Sequence, residues 1–172
     1  FPYINGEDLN SDPAQRPSRW VINFWDWPEE HAKEYEQPWR RVEETVWAER
    51  QGNNRKVYRD NWWQFAEKRP ALYHAIGWGK HFKKHPADWN SENNKQGSIL
   101  ACSEVTKHLS FVEIKNDYIV SANLDVFNNV DFFAVCQSVI HEIWARQHSA
   151  RLETRLKYSP GNAFETFVFP EH

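Results

Sequence analysis

The sequence contains no methionine, and only two of its 172 residues are cysteine. Because an intact gene product begins with methionine, we expect Phe1 to lie inside a longer polypeptide of which this chain is one piece. Cys102 and Cys136 stand in apolar stretches, where a cysteine is typical of a small buried side chain rather than of a disulfide framework. This cysteine usage favours an intracellular, cytoplasmic protein.

Long apolar runs are also missing, since no stretch approaches the length that spans a bilayer. The acidic residues near the start do not resemble a secretory signal either, so we expect no membrane partner. Aromatic residues, in contrast, make up 16% of the chain, a proportion that excludes a disordered protein. The length suits one domain with a core, and we expect residues 1–172 to form a single domain.

No complete catalytic or metal-binding motif is present in the sequence. His141 and the glutamate after it begin a zinc-protease pattern, but Ala145 occupies the position of the second histidine. Cys102 and His108 suggest a thiol–imidazole dyad, although a cysteine in an apolar strand is typically inert. We therefore assign no catalytic residue and no metal site to this chain.

An excess of basic residues is lacking too, because 21 basic residues face 24 acidic ones and the net charge is −3. This balance disfavours a general nucleic-acid binder. The basic residues are concentrated, however, in residues 53–97, where nine of them face four acidic ones. A local basic face on an acidic chain fits a module that reads DNA, and a merely solvated basic surface fits equally well.

The apolar patterns predict an α+β domain, in which a mixed sheet of short strands packs against helices. Short β-branched or alternating runs predict strands at Arg19–Trp25, Ser98–Ser103, Leu109–Ile114, Tyr118–Ser121 and Leu124–Phe127. A long amphipathic helix is predicted near the C-terminus, roughly over Val130–Leu152. Its predicted apolar stripe consists of Phe133, Val135, Cys136, Val139, Ile140, Ile143 and Trp144.

Six segments spread over nearly the whole chain carry a resemblance to a known family. They are Tyr3–Asn10, Arg19–Phe24 with the following Trp27-Pro28, Trp62–Pro70, Thr106–Val112, Ser138–Arg146 and Tyr158–Pro170. As a set, in this order and spacing, they resemble the target-recognition region of single-chain type II restriction–modification enzymes and related adenine-specific DNA methyltransferases.

This resemblance implies a domain that binds double-stranded DNA for an adenine-N6 methyltransferase of a restriction–modification or phage-defence system. Such an enzyme needs a Gly-rich turn for S-adenosylmethionine and an Asn-Pro-Pro-aromatic loop for the flipped adenine. The sequence has neither. The resemblance therefore implies that this chain binds no cofactor and that S-adenosylmethionine belongs to an upstream methylase domain of the same polypeptide. The alternative is a protein-interaction or structural module without a nucleic-acid role, which the net charge favours.

A recognition domain needs short polar side chains for base edges, and one polar cluster follows the strand predicted at Ser98–Ser103. The cluster consists of Ser103, Glu104, Thr106, Lys107 and His108. In a DNA groove its lysine would suit guanine and its glutamate the amino group of cytosine. A simple turn between two strands is the other interpretation of the cluster.

Cations for phosphate contacts are expected at Lys68, Arg69, Lys83 and Lys84. The first two could equally be the solvated approach to a proline. Tyr158 and Ser159 could bond to phosphate, and a turn closed by the next two residues explains them nearly as well. The pair Trp62-Trp63 could stack on bases, although paired tryptophans are more often core.

Overall fold

The computed structural model describes residues 1–65, 68–78 and 96–170. The chain forms two compact units. Phe1 and residues 21–95 belong to the first unit, and residues 2–20 and 96–172 belong to the second. Within the described ranges, no helix is both long enough and apolar enough to cross a bilayer.

Helices and strands are mixed along the chain, which confirms the predicted α+β class. Helices α1 to α7 span Gly6–Ser11, Glu29–Lys33, Glu36–Gln51, Lys56–Asp60, Pro70–Ala75, Phe133–Cys136 and Val139–His148. Strands β1 to β9 span Pro2–Ile4, Arg19–Trp20, Ser98–Ser103, Val105–Thr106, Phe111–Lys115, Ile119–Val120, Leu124–Phe127, Ala150–Leu152 and Arg155–Lys157. A 3₁₀ turn spans Val130–Phe132, and a π turn spans Pro160–Phe164.

The first unit is built from helices α2 to α5 around an aromatic core. Trp25 is 1% exposed, and its ring lies 4.8 Å from that of Tyr73 in an edge-on contact. Trp62 is also buried, with its ring centroid 5.0 Å from that of Trp39. The neighbouring Trp63 donates its indole N–H to the backbone of the same core. Trp62 and Trp63 are thus core residues, as paired tryptophans in a folded domain usually are.

The second unit contains three sheets of three strands each, in the orders β2-β1-β6, β5-β3-β7 and β4-β9-β8. The middle sheet is antiparallel, with β3 between its two neighbours. Residues 99–103 of β3 are all buried, as a short continuous apolar run predicts. Phe111, Phe127, Leu156 and Tyr158 share one core with β3. This core supports the third sheet, which carries the candidate site.

Helix α1 begins with a capping box that fixes its position in the second unit. The Asn5 side chain accepts hydrogen bonds from two backbone N–H groups, and the Asp8 carboxylate accepts one from the backbone of Asn5. Near the end of this short helix, the Asn10 amide donates to the hydroxyl of Ser103 at 3.0 Å. The capped helix therefore places a polar amide beside the end of β3.

The single long helix predicted over Val130–Leu152 is wrong. The chain instead forms a 3₁₀ turn, the short helix α6, the separate helix α7 and the strand β8. The break falls at Ser138, which has extended backbone and caps α7 by accepting the N–H of His141 at 3.2 Å. A local cap thus satisfies an N–H that a continuous helix would have bonded internally, and it restarts the helix.

The restart also changes which side chains of this region face the core. Val139, Ile140 and Ile143 are 70%, 72% and 61% exposed, so most of the predicted apolar stripe faces outward. His141 and Ala145 are completely buried instead. The imidazole of His141 therefore lies inside the core, at the base of the third sheet.

Candidate nucleic-acid interface

The predicted cluster around β4 divides into buried and exposed side chains. Ser103 and Thr106 are buried. The Ser103 hydroxyl accepts the amide of Asn10, and that of Thr106 donates to the backbone oxygen of His108 at 2.7 Å. Both hydroxyls thus hold the turn together from inside. Lys107 and His108 are exposed, so these two, together with the half-buried Glu104, reach the surface.

The exposed part of this cluster borders a cleft of about 440 Å³. Arg155 of β9 lies on the same cleft as Lys107 and His108. The remaining lining residues are Leu9, Asn10, Val105, Thr106 and Ser110. No carboxylate lines it among the described residues. The cleft therefore offers two cations, an imidazole, the Asn10 amide and the Ser110 hydroxyl, which suits a ligand that is rich in hydrogen-bond acceptors.

Arg155 reaches this cleft because strands β8 and β9 form a hairpin. Leu152 pairs with Arg155 across a two-residue turn, and Glu153 has the left-handed φ of 56° that such turns require at their first position. Leu156 faces inward and is 2% exposed. Since side chains alternate along a strand, Arg155 and Lys157 point to the opposite, outward face.

The hairpin concentrates positive charge on an acidic chain. Residues 146–157 contain four basic side chains and one acidic one. A second cleft of about 350 Å³ lies between Arg146 of α7 and the hairpin arginines Arg151 and Arg155. Arg146 donates to the backbone oxygen of Lys107 at 3.1 Å, which ties α7 to the β4 turn. We call the set Lys107, His108, Arg151, Arg155 and Lys157 the hairpin surface.

Two carboxylates orient the cations of the hairpin surface. Glu153 lies 3.1 Å from the guanidinium of Arg155, and Glu104 lies 3.3 Å from the ammonium of Lys157. These ion pairs are exposed and add little stability. They hold two long side chains in place while leaving further N–H donors of each cation available to a ligand.

The hairpin cations were missed by the sequence prediction, although a signal for them exists. The sequence Arg151-Leu-Glu-Thr-Arg-Leu repeats an Arg-Leu pair on both sides of two polar residues, as a two-residue hairpin would. Arg151 falls instead within the helix predicted over Val130–Leu152, because the apolar stripe before it conceals the turn.

Tyr158 and Ser159 lie at the base of the hairpin rather than on its surface. Tyr158 is 2% exposed, and its hydroxyl lies 3.1 Å from Nε2 of His141. Ser159 is half-buried and donates its backbone N–H to the hydroxyl of Ser149 at 3.2 Å. A phosphate contact by the Tyr158 side chain would require the core to open. Tyr158 is therefore not counted as part of the hairpin surface.

Burial keeps the ionisable groups of this core uncharged at neutral pH. It lowers the pKa of His141 below the ordinary imidazole value and raises the pKa of the Tyr158 hydroxyl. Burial also raises the pKa of Cys102, and it raises that of Cys136 to about 11. Both thiols therefore stay protonated, which disfavours a nucleophilic role for Cys102.

The predicted phosphate contacts lie elsewhere in the chain. Lys68 belongs to the first unit and donates to the side chain of Gln64. Arg69, with a left-handed φ of 48°, precedes α5. Lys83 and Lys84 lie outside the described residues. The contact of these four residues with phosphate stays a prediction.

The other described cations of the basic middle third have local partners. Arg55 donates to the Tyr58 hydroxyl at 2.9 Å, Arg59 donates to the backbone oxygen of Asn53, and Lys56 lies 4.0 Å from the Asp60 carboxylate. Within the ranges that the structure covers, no three His, Cys, Asp or Glu side chains form a group that could hold a metal ion.

Comparison with known proteins gives one match. The family model described as "MmeI, target recognition domain" matches residues 11–171, which is nearly the whole chain. No curated protein and no solved structure matches the chain. The chain therefore belongs to the MmeI target recognition domain family, and as such it is a sequence-specific DNA recognition domain of a restriction–modification enzyme.

Proposed function

We propose that residues 1–172 form the DNA recognition domain of an S-adenosylmethionine-dependent adenine-N6 methyltransferase, working in restriction–modification or phage defence. The observation that carries the proposal is the hairpin surface, where Lys107, His108 and Arg155 line one cleft and Arg151 and Arg155 line a second. In this proposal the parent enzyme is cytoplasmic, where its DNA substrate is found.

The hairpin surface has the two kinds of group that a DNA reader needs. Arg151 and Lys157 are exposed side chains of the hairpin and suit phosphates, which fix the register on the duplex. Lys107 and Arg155 border the donor-rich cleft and suit the acceptors of a guanine edge in the major groove.

Methyl transfer is assigned to another part of the parent polypeptide. The sequence contains neither a Gly-rich cofactor turn nor an Asn-Pro-Pro-aromatic loop, so no residue of this chain is proposed to hold S-adenosylmethionine. In this scheme the domain selects the site, and an upstream methylase domain flips and methylates one adenine.

A protein-interaction module is the second candidate, because Val139, Ile140 and Ile143 expose an apolar face on α7. The dependence of DNA binding on salt concentration distinguishes the two candidate functions. If Arg151 and Lys157 each neutralise one phosphate, the plot of log binding constant against log salt should fall with a slope of about −2. Fluorescence anisotropy of a labelled duplex from roughly 50 to 200 mM salt measures this slope. A slope near zero would favour the protein-interaction module.

Lys107→Ala is expected to relax sequence preference while leaving binding to random duplexes nearly unchanged. Loss of a base-edge contact costs about 1–3 kcal/mol at one base position. Selection from randomised duplexes, compared with the unchanged protein, shows whether one position loses its preference. Lys115→Ala, on an exposed position of β5, removes the same charge and serves as the control. If Lys107→Ala keeps the full site preference, Lys107 is not a base contact.

A further inference from the structure

The core beneath the hairpin surface contains one polar pair that the proposed function does not use. His141 has no exposed surface and Tyr158 is 2% exposed, yet Nε2 of the imidazole lies 3.1 Å from the Tyr158 hydroxyl. The ring of Phe111 packs at 5.6 Å from both. A hydrogen bond in such an apolar setting is stronger than one in water, and breaking it leaves a buried polar atom unpaired.

The position of this pair in the chain gives it a particular role. His141 stands in the first turn of α7, and Tyr158 directly follows Lys157, the last residue of β9. Between them the chain runs through the rest of α7 and the complete hairpin. Their hydrogen bond therefore closes a loop whose far end carries Arg151 and Arg155. A second bond, from the Ser159 N–H to the Ser149 hydroxyl, closes the same loop one step nearer the hairpin.

The imidazole depends on Tyr158 for its orientation. Nδ1 of His141 is buried and has no hydrogen-bond partner among the residues that the structure describes. The rings of Phe111 and Phe167 pack against the imidazole, that of Phe167 at 4.8 Å. Burial keeps the imidazole neutral, so the pair is a hydrogen bond between two uncharged groups. The imidazole and the phenol thus bond to each other inside the core.

We propose that His141 and Tyr158 are positioning residues, which hold the hairpin at a fixed place relative to α7 so that its cations meet DNA in one register. This inference rests on the proposed function. Base-edge hydrogen bonds need donors placed within a few tenths of an ångström, whereas phosphate contacts by long flexible cations tolerate displacement. Loosening the base of the hairpin should therefore reduce the preference for the correct site more than the binding of random DNA.

The test compares Tyr158→Phe, His141→Leu, their double variant and His141→Gln in the 172-residue chain. Tyr158→Phe and His141→Leu should each speed amide hydrogen exchange in residues 150–157 on the order of tenfold, as loss of one buried hydrogen bond implies. Exchange in β3 and β5 should stay unchanged. Preference for the selected duplex over random duplexes should fall by a similar factor of about ten.

Two further results distinguish positioning from a general loss of packing. The double variant should be no worse than either single variant, because both remove the same bond. In contrast to His141→Leu, His141→Gln should keep the exchange slow and the site preference high, since its side-chain amide can bond to the Tyr158 hydroxyl in place of Nε2. Unchanged exchange of the hairpin in Tyr158→Phe would overturn the proposal. Equal acceleration in β3, β5 and the hairpin would overturn it as well, because the pair would then support only the core.

The exchange measurement also separates this inference from the proposed function. In one case the unchanged chain binds no DNA at low salt, but the hairpin still loosens in Tyr158→Phe and stays ordered in His141→Gln. The proposed function then fails, while the positioning of the hairpin by the pair stands. If DNA binds with a steep salt dependence and no variant alters the hairpin, the proposed function stands and the positioning role is lost.

Discussion

Replacing Arg151, Arg155 and Lys157 together by glutamine is expected to weaken DNA binding on the order of a thousandfold at low salt. Hydrogen bonds that involve a charged group contribute about 1.5–3 kcal/mol each, and 1.4 kcal/mol corresponds to a factor of ten. All three side chains are exposed, so their removal leaves the core intact. The thermal unfolding temperature should stay within a few degrees of that of the unchanged chain. Anisotropy titration of a labelled duplex measures the loss.

A matched control exists in the first unit. Arg55, Lys56 and Arg59 lie at the start of α4 and within it, and their replacement by glutamine changes the net charge by the same amount. Each of these three side chains has a partner within the first unit. We expect this triple variant to bind DNA with an affinity within about threefold of the original, through the screened effect of net charge alone. If both triple variants lose affinity equally, binding follows total charge and the hairpin surface is not the interface.

Much of the middle sheet of the second unit, in the order β5-β3-β7, follows from the local sequence. The strand predicted at Ser98–Ser103 has those bounds in the structure, and the one predicted at Leu124–Phe127 does too. The alternation over Leu109–Ile114 likewise gives β5, shifted by one or two residues. Ser98–Ser103 contains a continuous apolar run that is buried, and buried and exposed residues alternate at the end of β5, so the local preference and the burial of these strands agree.

The helix break and the hairpin could not be read from periodicity, because the break depends on one side-chain cap and the hairpin depends on pairing with a distant strand. Ser138 starts α7 through a single side-chain bond, which an apolar stripe across the same residues conceals. The hairpin needs Leu156 to find a buried partner, and that partner is the β4 strand about fifty residues earlier. Long-range pairing of this kind is decided by the tertiary structure rather than by local propensity.

The candidate site was predicted in part for a related physical reason. Lys107 and His108 are exposed at the cleft, where the polar cluster suggested contacts with a groove. Ser103 and Thr106 in the same cluster turn inward, because a hydroxyl can satisfy a backbone group or a neighbouring amide as readily as it can bind water or DNA. Short polar side chains at strand ends therefore predict a turn better than they predict an interface.

The stability of the hairpin surface depends on the core below it, and Phe111 is the clearest point of attack. Its ring lies 5.6 Å from each of Phe127, His141 and Tyr158, and the side chain is 2% exposed. Phe111→Ala is expected to lower the free energy of unfolding by about 3–5 kcal/mol, through lost burial and the cavity that remains. Urea denaturation followed by tryptophan fluorescence measures this change from the midpoint and slope of the transition.

Ile140→Ala is the matched control. It also removes a large apolar side chain, but that side chain is 72% exposed on α7. Its replacement should change the free energy of unfolding by no more than about 0.5 kcal/mol, as is usual for surface positions. A loss comparable to that of Phe111→Ala would mean that this face of α7 is packed against apolar side chains after all. The two variants together thus test whether the restart at Ser138 turns His141 inward and the apolar stripe outward, on which the position of the hairpin depends.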